Sequence, residues 1–141
     1  MCSSDPPLII DCDPGKDDAV ALLMAFASPE IELLAITTVA GNVGLDKTSR
    51  NALRICELGG RAHMAVHAGC PRPMLKPLGT AVRVHGEDGL AGGAPADPAR
   101  ALHPAYAVDF LGGTRRASGC YFSLRRIGKP CVPSRGACSA V

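Results

Sequence analysis

The sequence predicts an α/β fold, a parallel sheet with helices on its faces, from three observations. Strand-like and helix-like segments alternate in the order β-α-β-α-β. The apolar runs at residues 8–11 and 31–39 carry little polar alternation, as inner strands of a parallel sheet do. Three carboxylates, Asp13, Asp17 and Asp18, and an Asn stand just past the carboxyl ends of those runs, where open sheets of this class bind ligands.

The first segment, L-I-I-D at residues 8–11, reads as a short buried strand. Asp13 follows its carboxyl end. Pro14 suits a turn or a first helical position, and Gly15 allows a tight reversal. Asp17 and Asp18 fall in the first turn of the next helix, where the helix dipole favours negative charge. That helix is apolar nearly all round through Val20, Leu22, Leu23, Met24 and Phe26, a pattern of burial within a larger structure. Met24 and Phe26 are expected in the core. Ser28-Pro29 ends the helix.

Residues 31–39, I-E-L-L-A-I-T-T-V, read as the second inner strand, and A-G-N-V-G-L follows as a loop. Neighbouring parallel strands bring their carboxyl ends side by side, so Asn42 is placed to share a pocket with Asp13. The competing reading is a plain turn Asn in left-handed geometry. Asp46 is expected to cap a helix whose Ala52, Ile55, Cys56 and Gly59 share one face, with Arg50, Arg54 and Glu57 toward water. Gly59-Gly60 stops it, and residues 64–69 read as a third strand. Residues 70–97 form a long Pro- and Gly-rich stretch containing V-H-G-E-D-G-L. His85 there is either a polar contact or proton carrier in a site, or a solvated loop His. His63, His67 and His103 read as structural or exposed. A further helix begins near A-Y-A-V-D-F-L, residues 105–111.

Asp11, Asp13, Asp17 and Asp18 are four acids within eight positions. Like charges this close raise the pKa of at least one member unless a positive group sits among them. A hard divalent cation can touch several such oxygens at once. The alternative is an N-cap cluster with a solvated acidic turn, although capping needs only one or two acids. An EF-hand is excluded, since position 12 counted from Asp11 is Leu22.

The 141 residues suffice for one domain with a core. No apolar run can cross a bilayer and no secretory leader precedes the first strand, so a cytoplasmic protein that binds no membrane is expected. Seven Cys without a paired framework or a C-x-x-C read as free thiols, Cys12 and Cys56 as internal small hydrophobes. The net charge of +2 averages two unlike regions. Residues 1–111 hold all 13 acids and 9 of the basic residues; residues 112–141 hold 6 basic residues and no acid. The second region is read either as a disordered basic tail or as out-of-frame sequence. It lacks the aromatic interleaving of a nucleic-acid surface, and nucleic acid is not an expected partner.

Three motifs together, D-C-D-P-G-K-D-D-A, T-T-V-A-G-N and V-H-G-E-D-G-L, resemble the N-terminal half of the inosine-uridine preferring nucleoside hydrolases over about residues 7–111. The resemblance implies a Rossmann-like core, incomplete here, and an oligomer when full length. It implies hydrolysis of the N-glycosidic bond of a ribonucleoside to ribose and free base, in nucleoside salvage, with Ca²⁺ as cofactor and a Ca²⁺-bound water as nucleophile. By match to the motifs, Asp13 would ligate Ca²⁺ and act as general base, Asp18 would be a ligand, and Asp11 would support the metal site. Asp17 would hold ribose hydroxyls with Asn42 helping, and His85 would sit near the sugar or leaving base. Carboxylates near the sugar suit the oxocarbenium-like transition state of such cleavage.

Two departures qualify this. Lys16 stands where the family commonly has a small or apolar residue, and nothing here matches the family's C-terminal half, which supplies further Ca²⁺ ligands and a His-Asp pair. A truncated or frameshifted hydrolase with weak Ca²⁺ binding, little turnover alone and exposed apolar surface is therefore expected. Two other classes compete: a non-catalytic remnant that holds Ca²⁺ or ribose, and a Mg²⁺-dependent phosphatase of the haloacid dehalogenase type, which also opens with D-x-D after a strand. The phosphatase would leave the following D-D pair and the A-G-N loop without a role.

Overall fold

A computed structural model describes residues 7–118 and 122–123. The remainder of the basic segment, for which a disordered or out-of-frame origin is expected, lies outside the described residues.

Four parallel strands form one sheet in the order β3-β2-β1-β4. They are β1 (Leu8–Cys12), β2 (Leu33–Thr38), β3 (Val66–Ala68) and β4 (Phe122–Ser123). The helices are α1 (Lys16–Ala27), α2 (Leu45–Leu58), the single turn α3 (Val82–His85) and α4 (Ala107–Ser118). The expected β-α-β-α-β order is present, with β2 and β3 shorter than their apolar runs. Helix α4 continues past Leu111 into the acid-free segment.

The register separates two faces. Ile10, Ile36 and Val66 lie side by side, as do Asp11, Thr37 and His67 in the next row. Successive strand residues point to opposite faces. Ile10, Cys12, Ile36 and Val66 pack with Leu22 and Phe26 of α1 and with Ala52, Ile55 and Cys56 of α2. On the other face the buried His67 ring stacks on Phe110 of α4, with centroids 4.0 Å apart, and its Nδ1–H donates to Ala105 O at 2.9 Å. Helices thus cover both sides of the sheet. Cys12, Cys56 and Cys70 are free thiols, the first two buried. Burial pushes the Cys56 thiol up to about 12, so it behaves as a small hydrophobe.

Three expectations need correction. Met24 is not core: it is 66% exposed, and Val20 one turn earlier is 58% exposed. Helix α1 offers its Leu22-Ala25-Phe26 side to the sheet, and the described residues provide no second layer over its outer side. Asp46 does not cap α2. The helix starts two residues sooner, at Leu45 with Gly44 as its N-cap, because Lys47 N and Thr48 N both donate to Gly44 O at 3.0 Å. His85 does not lie in an open loop but closes the turn α3, and it is buried.

Leu22 is fully buried in the cluster, so Leu22→Ala is expected to cost about 2–5 kcal/mol of unfolding free energy in a denaturant titration. A second prediction concerns acid. Burial first, then the neighbouring His103, holds the His67 ring below its ordinary 6.5, partly offset by the Ala105 carbonyl. A lowered base binds fewer protons folded than unfolded. Its contribution is present above pH 6.5 and is lost as pH falls from 6.5 through the folded value. His67→Gln should flatten the stability profile in that window, measured by urea midpoints at several pH values.

Candidate functional site

The site forms where β1 and β2 end. Asp13 leaves β1 and Asn42 leaves β2, and they clasp at two points. Asn42 N donates to Asp13 Oδ2 at 2.7 Å, and Asn42 Nδ2 donates to Asp13 O at 2.8 Å. The expected meeting of these two residues is therefore present, and Asn42 does more than hold a turn. Gly41 is required for it, since a Cβ there would overlap the Asp13 carboxylate. Asp18, buried in the first turn of α1, accepts from Asp13 N at 3.1 Å through Oδ2.

Asp11 and Asp17 part from this pair in opposite directions. Asp11 is buried within β1 and accepts from Thr37 Oγ1 at 2.7 Å. Asp17 is exposed on α1 and faces His85, with 4.0 Å between Oδ1 and Nδ1. The His85 ring closes the site from the far side. A Cβ on Gly15 would lie 2.5 Å from His85 Nδ1 and 2.8 Å from Asn42 Nδ2, so the absence of a side chain there lets turn, ring and amide meet. His85 Nδ1 is buried and has no hydrogen-bond partner among the described residues, an unusual state for a polar atom. Lys16 is exposed at the start of α1.

The electrostatics suit a cation. Burial, then the Asp13 and Asp17 charges, raises Asp18 from 3.8 to about 7. Carboxylates crowded in this way gain from a hard cation, and their oxygen donors are of the right type. No group of three or more His, Cys, Asp or Glu side chains among the described residues is arranged to hold a metal ion. The donor chemistry of Asp13 and Asp18 fits Ca²⁺, while a complete cage needs more oxygens than this cluster assembles.

Sequence reasoning missed the polar side of α2. Thr48 Oγ1 donates to Val39 O at 2.9 Å, Ser49 Oγ pairs with Thr38 Oγ1 at 2.7 Å, and Asn51 reaches Pro14 O and Asp88 O. All three residues are buried. The available signal was T-S-R-N inside an amphipathic helix, polar residues standing on its inward side.

Comparison with known proteins gives one answer. The profile of the inosine-uridine preferring nucleoside hydrolases matches residues 8–128, running past Leu111. An uncharacterized protein of Schizosaccharomyces pombe is 50% identical over 109 residues, covering 77% of this chain and 35% of that protein. The pyrimidine-specific ribonucleoside hydrolase RihA of Salmonella schwarzengrund is 48% identical over 112 residues, covering 79% and 36%. Among solved structures, the plant nucleoside hydrolase PpNRh1 aligns with a TM-score of 0.77 at 35% identity, covering 84% of this chain and 39% of that one. The purine-preferring ribonucleoside hydrolase from Gardnerella vaginalis aligns with the same score at 31% identity, covering 83% and 39%. The chain spans just over a third of the length of the curated relatives it matches. With its motifs meeting at one sheet edge and a match along most of its length, this chain belongs to the inosine-uridine preferring nucleoside hydrolase family.

Proposed function

We propose that this chain carries the metal- and ribose-binding part of an N-ribohydrolase, which cleaves a ribonucleoside to ribose and free base. The observation that supports it best is the convergence of Asp13, Asp18, Asn42 and His85 around Gly15. Family membership adds weight, since RihA and the two solved hydrolases are named for ribonucleoside or nucleoside hydrolysis. It also removes the support for a phosphatase.

Asp13 and Asp18 would hold Ca²⁺, with Asp11 anchoring β1 behind them through Thr37. Ca²⁺ when bound would orient water and ribose hydroxyls and make the water more acidic. Asp13 would take the proton from the attacking water as general base. Its carboxylate is already fixed by Asn42 N, so little reorganisation is needed. Asp17, exposed beside the turn, would accept hydrogen bonds from ribose hydroxyls. Asn42 would keep the turn in place beneath the sugar. His85 would meet the sugar or leaving base through the ring whose Nδ1 has no hydrogen-bond partner among the described residues. The carboxylates would stabilise positive charge developing on the ribose.

A second reading, retention of Ca²⁺ or ribose without turnover, is favoured by the incomplete cage. One experiment separates the two: titrate the 141-residue chain with Ca²⁺ by calorimetry, then assay inosine and uridine hydrolysis with Ca²⁺ present. Weak Ca²⁺ binding with little turnover is expected. At about 100 times Kd, Ca²⁺ should raise stability by about 2.7 kcal/mol, and Asp13→Asn should remove most of that gain. Robust turnover would overturn the binding-only reading; no Ca²⁺ binding would overturn the metal assignment. We further propose that the full-length protein is a homo-oligomer.

The Gly41 contact yields its own prediction. Gly41→Ala must push the Asp13 carboxylate away from Asn42 N. Ca²⁺ binding should fall at least tenfold, about the worth of one charge-assisted hydrogen bond. Far-ultraviolet circular dichroism should show the secondary structure retained.

A further inference from the structure

Asn51 lies in the middle of α2 and is fully buried. An Asn in a helix interior is a poor helix former, and a buried amide needs polar partners. Its partners come from three separate places. Nδ2 donates to Asp88 O at 2.8 Å and, more weakly, to Pro14 O at 3.4 Å. Oδ1 accepts from Arg54 Nη1 at 3.3 Å, and Arg54 Nη2 bonds Asp97 Oδ1 at 2.6 Å. Pro14 belongs to the turn between Asp13 and Gly15. Asp88 belongs to the loop that follows His85.

We infer that Asn51 is a positioning residue for this site, its amide holding the His85 loop against the Asp13 turn and so setting where the His85 ring sits. The inference deepens the proposed reading of the site and rests on it for the meaning of that ring position. The loop has been shaped to reach the amide. Gly89 takes a φ of +83°, and a Cβ on it would lie 2.9 Å from Asn51 Nδ2. A side chain there would be strained and would push the loop off the amide. The same loop closes on itself through Ala91 N to His85 O at 2.6 Å and Leu90 N to Asp88 Oδ1 at 2.9 Å. It therefore moves as a unit, and the bond from Asn51 to Asp88 O ties that unit to α2. Without the donor, two carbonyls would face each other across the gap with no proton between them, and the loop would lift.

The test reads the ring and not turnover, so it stands whether or not the chain hydrolyses nucleosides. Diethyl pyrocarbonate carbethoxylates accessible imidazoles, and peptide mass mapping gives the rate at each His. His85 is 9% exposed, and His67, on the α4 face, is 1% exposed and serves as an internal reference. Asn51→Asp keeps the size of the side chain but cannot donate to either carbonyl. His85 should then react about tenfold faster, the effect of one lost hydrogen bond of ordinary strength, with His67 unchanged. Leu53→Ala, which destabilises the same helix by removing an apolar side chain, should leave the ratio of the two rates as it is. A parallel rise at His85 and His67 in Asn51→Asp, or no rise at either, would overturn the inference. If Asn51→Asp does not fold, Asn51→Ser, whose hydroxyl is too short to span the gap, must show the same selective rise at His85.

Discussion

The clasp between Asp13 and Asn42 is the constraint on which the rest of the site depends. It joins the ends of two neighbouring parallel strands through two hydrogen bonds, one to a carboxylate and one to a carbonyl. The register of β1 on β2 places Cys12 opposite Thr38, so both chains leave the sheet at the same height. A slip of one residue would turn every side chain to the other face and separate the pair. The same slip would bury Asp11 among Leu22 and Ile55 and bring Ile10 to the polar row. The apolar core and the acidic site are therefore specified by one register.

Electrostatics pulls the other way. Burial of Asp18, and then the Asp13 and Asp17 charges beside it, raise its carboxyl to about 7, so the fold holds an ionised Asp18 at a cost in both desolvation and repulsion. The backbone offsets part of it: Asp13 N donates to Asp18, and Asn42 N to Asp13. Hydrogen bonds of this kind hold carboxylates in place but do not neutralise them. A cluster held together by geometry against its own charge is suited to a cation that arrives from outside. The pH at which Asp18 gives up its proton lies close to neutrality, so modest changes in surroundings alter its charge.

Much of this was legible in the sequence, for physical reasons. Apolar runs such as L-I-I and L-L-A-I carry strands because burial and β-branching act locally, and the carboxyl-end rule then locates Asp13 and Asn42 without knowledge of tertiary contacts. Met24 was misread because an apolar residue states only what its neighbours should be, not whether those neighbours are present. His85 was ambiguous because its burial depends on Gly15, seventy positions earlier in the chain, having no side chain. Asp46 was misplaced as a cap because the start of α2 is set by the Gly44 carbonyl and not by a side chain. Thr48, Ser49 and Asn51 escaped notice because polar residues on a helix usually face water, and their partners are carbonyls and hydroxyls that no sequence pattern marks.

Those three residues explain how one helix can serve two purposes. The half of α2 toward its C-terminus is held by Ala52, Ile55 and Cys56 against the sheet, where the forces are non-directional. The half toward its N-terminus is held by hydrogen bonds to Val39 O, Thr38 Oγ1, Pro14 O and Asp88 O, where direction matters. Apolar contact alone would let the helix slide by a fraction of an ångström at little cost. Directional bonds to strand ends and loops do not permit this, because each buried donor or acceptor loses its partner when displaced. The loops that shape the site thus take their positions from the polar side of a helix whose other side is fixed by the core. Precision at the sheet edge follows from anchoring its loops to a helix that the core and these hydrogen bonds hold on both sides.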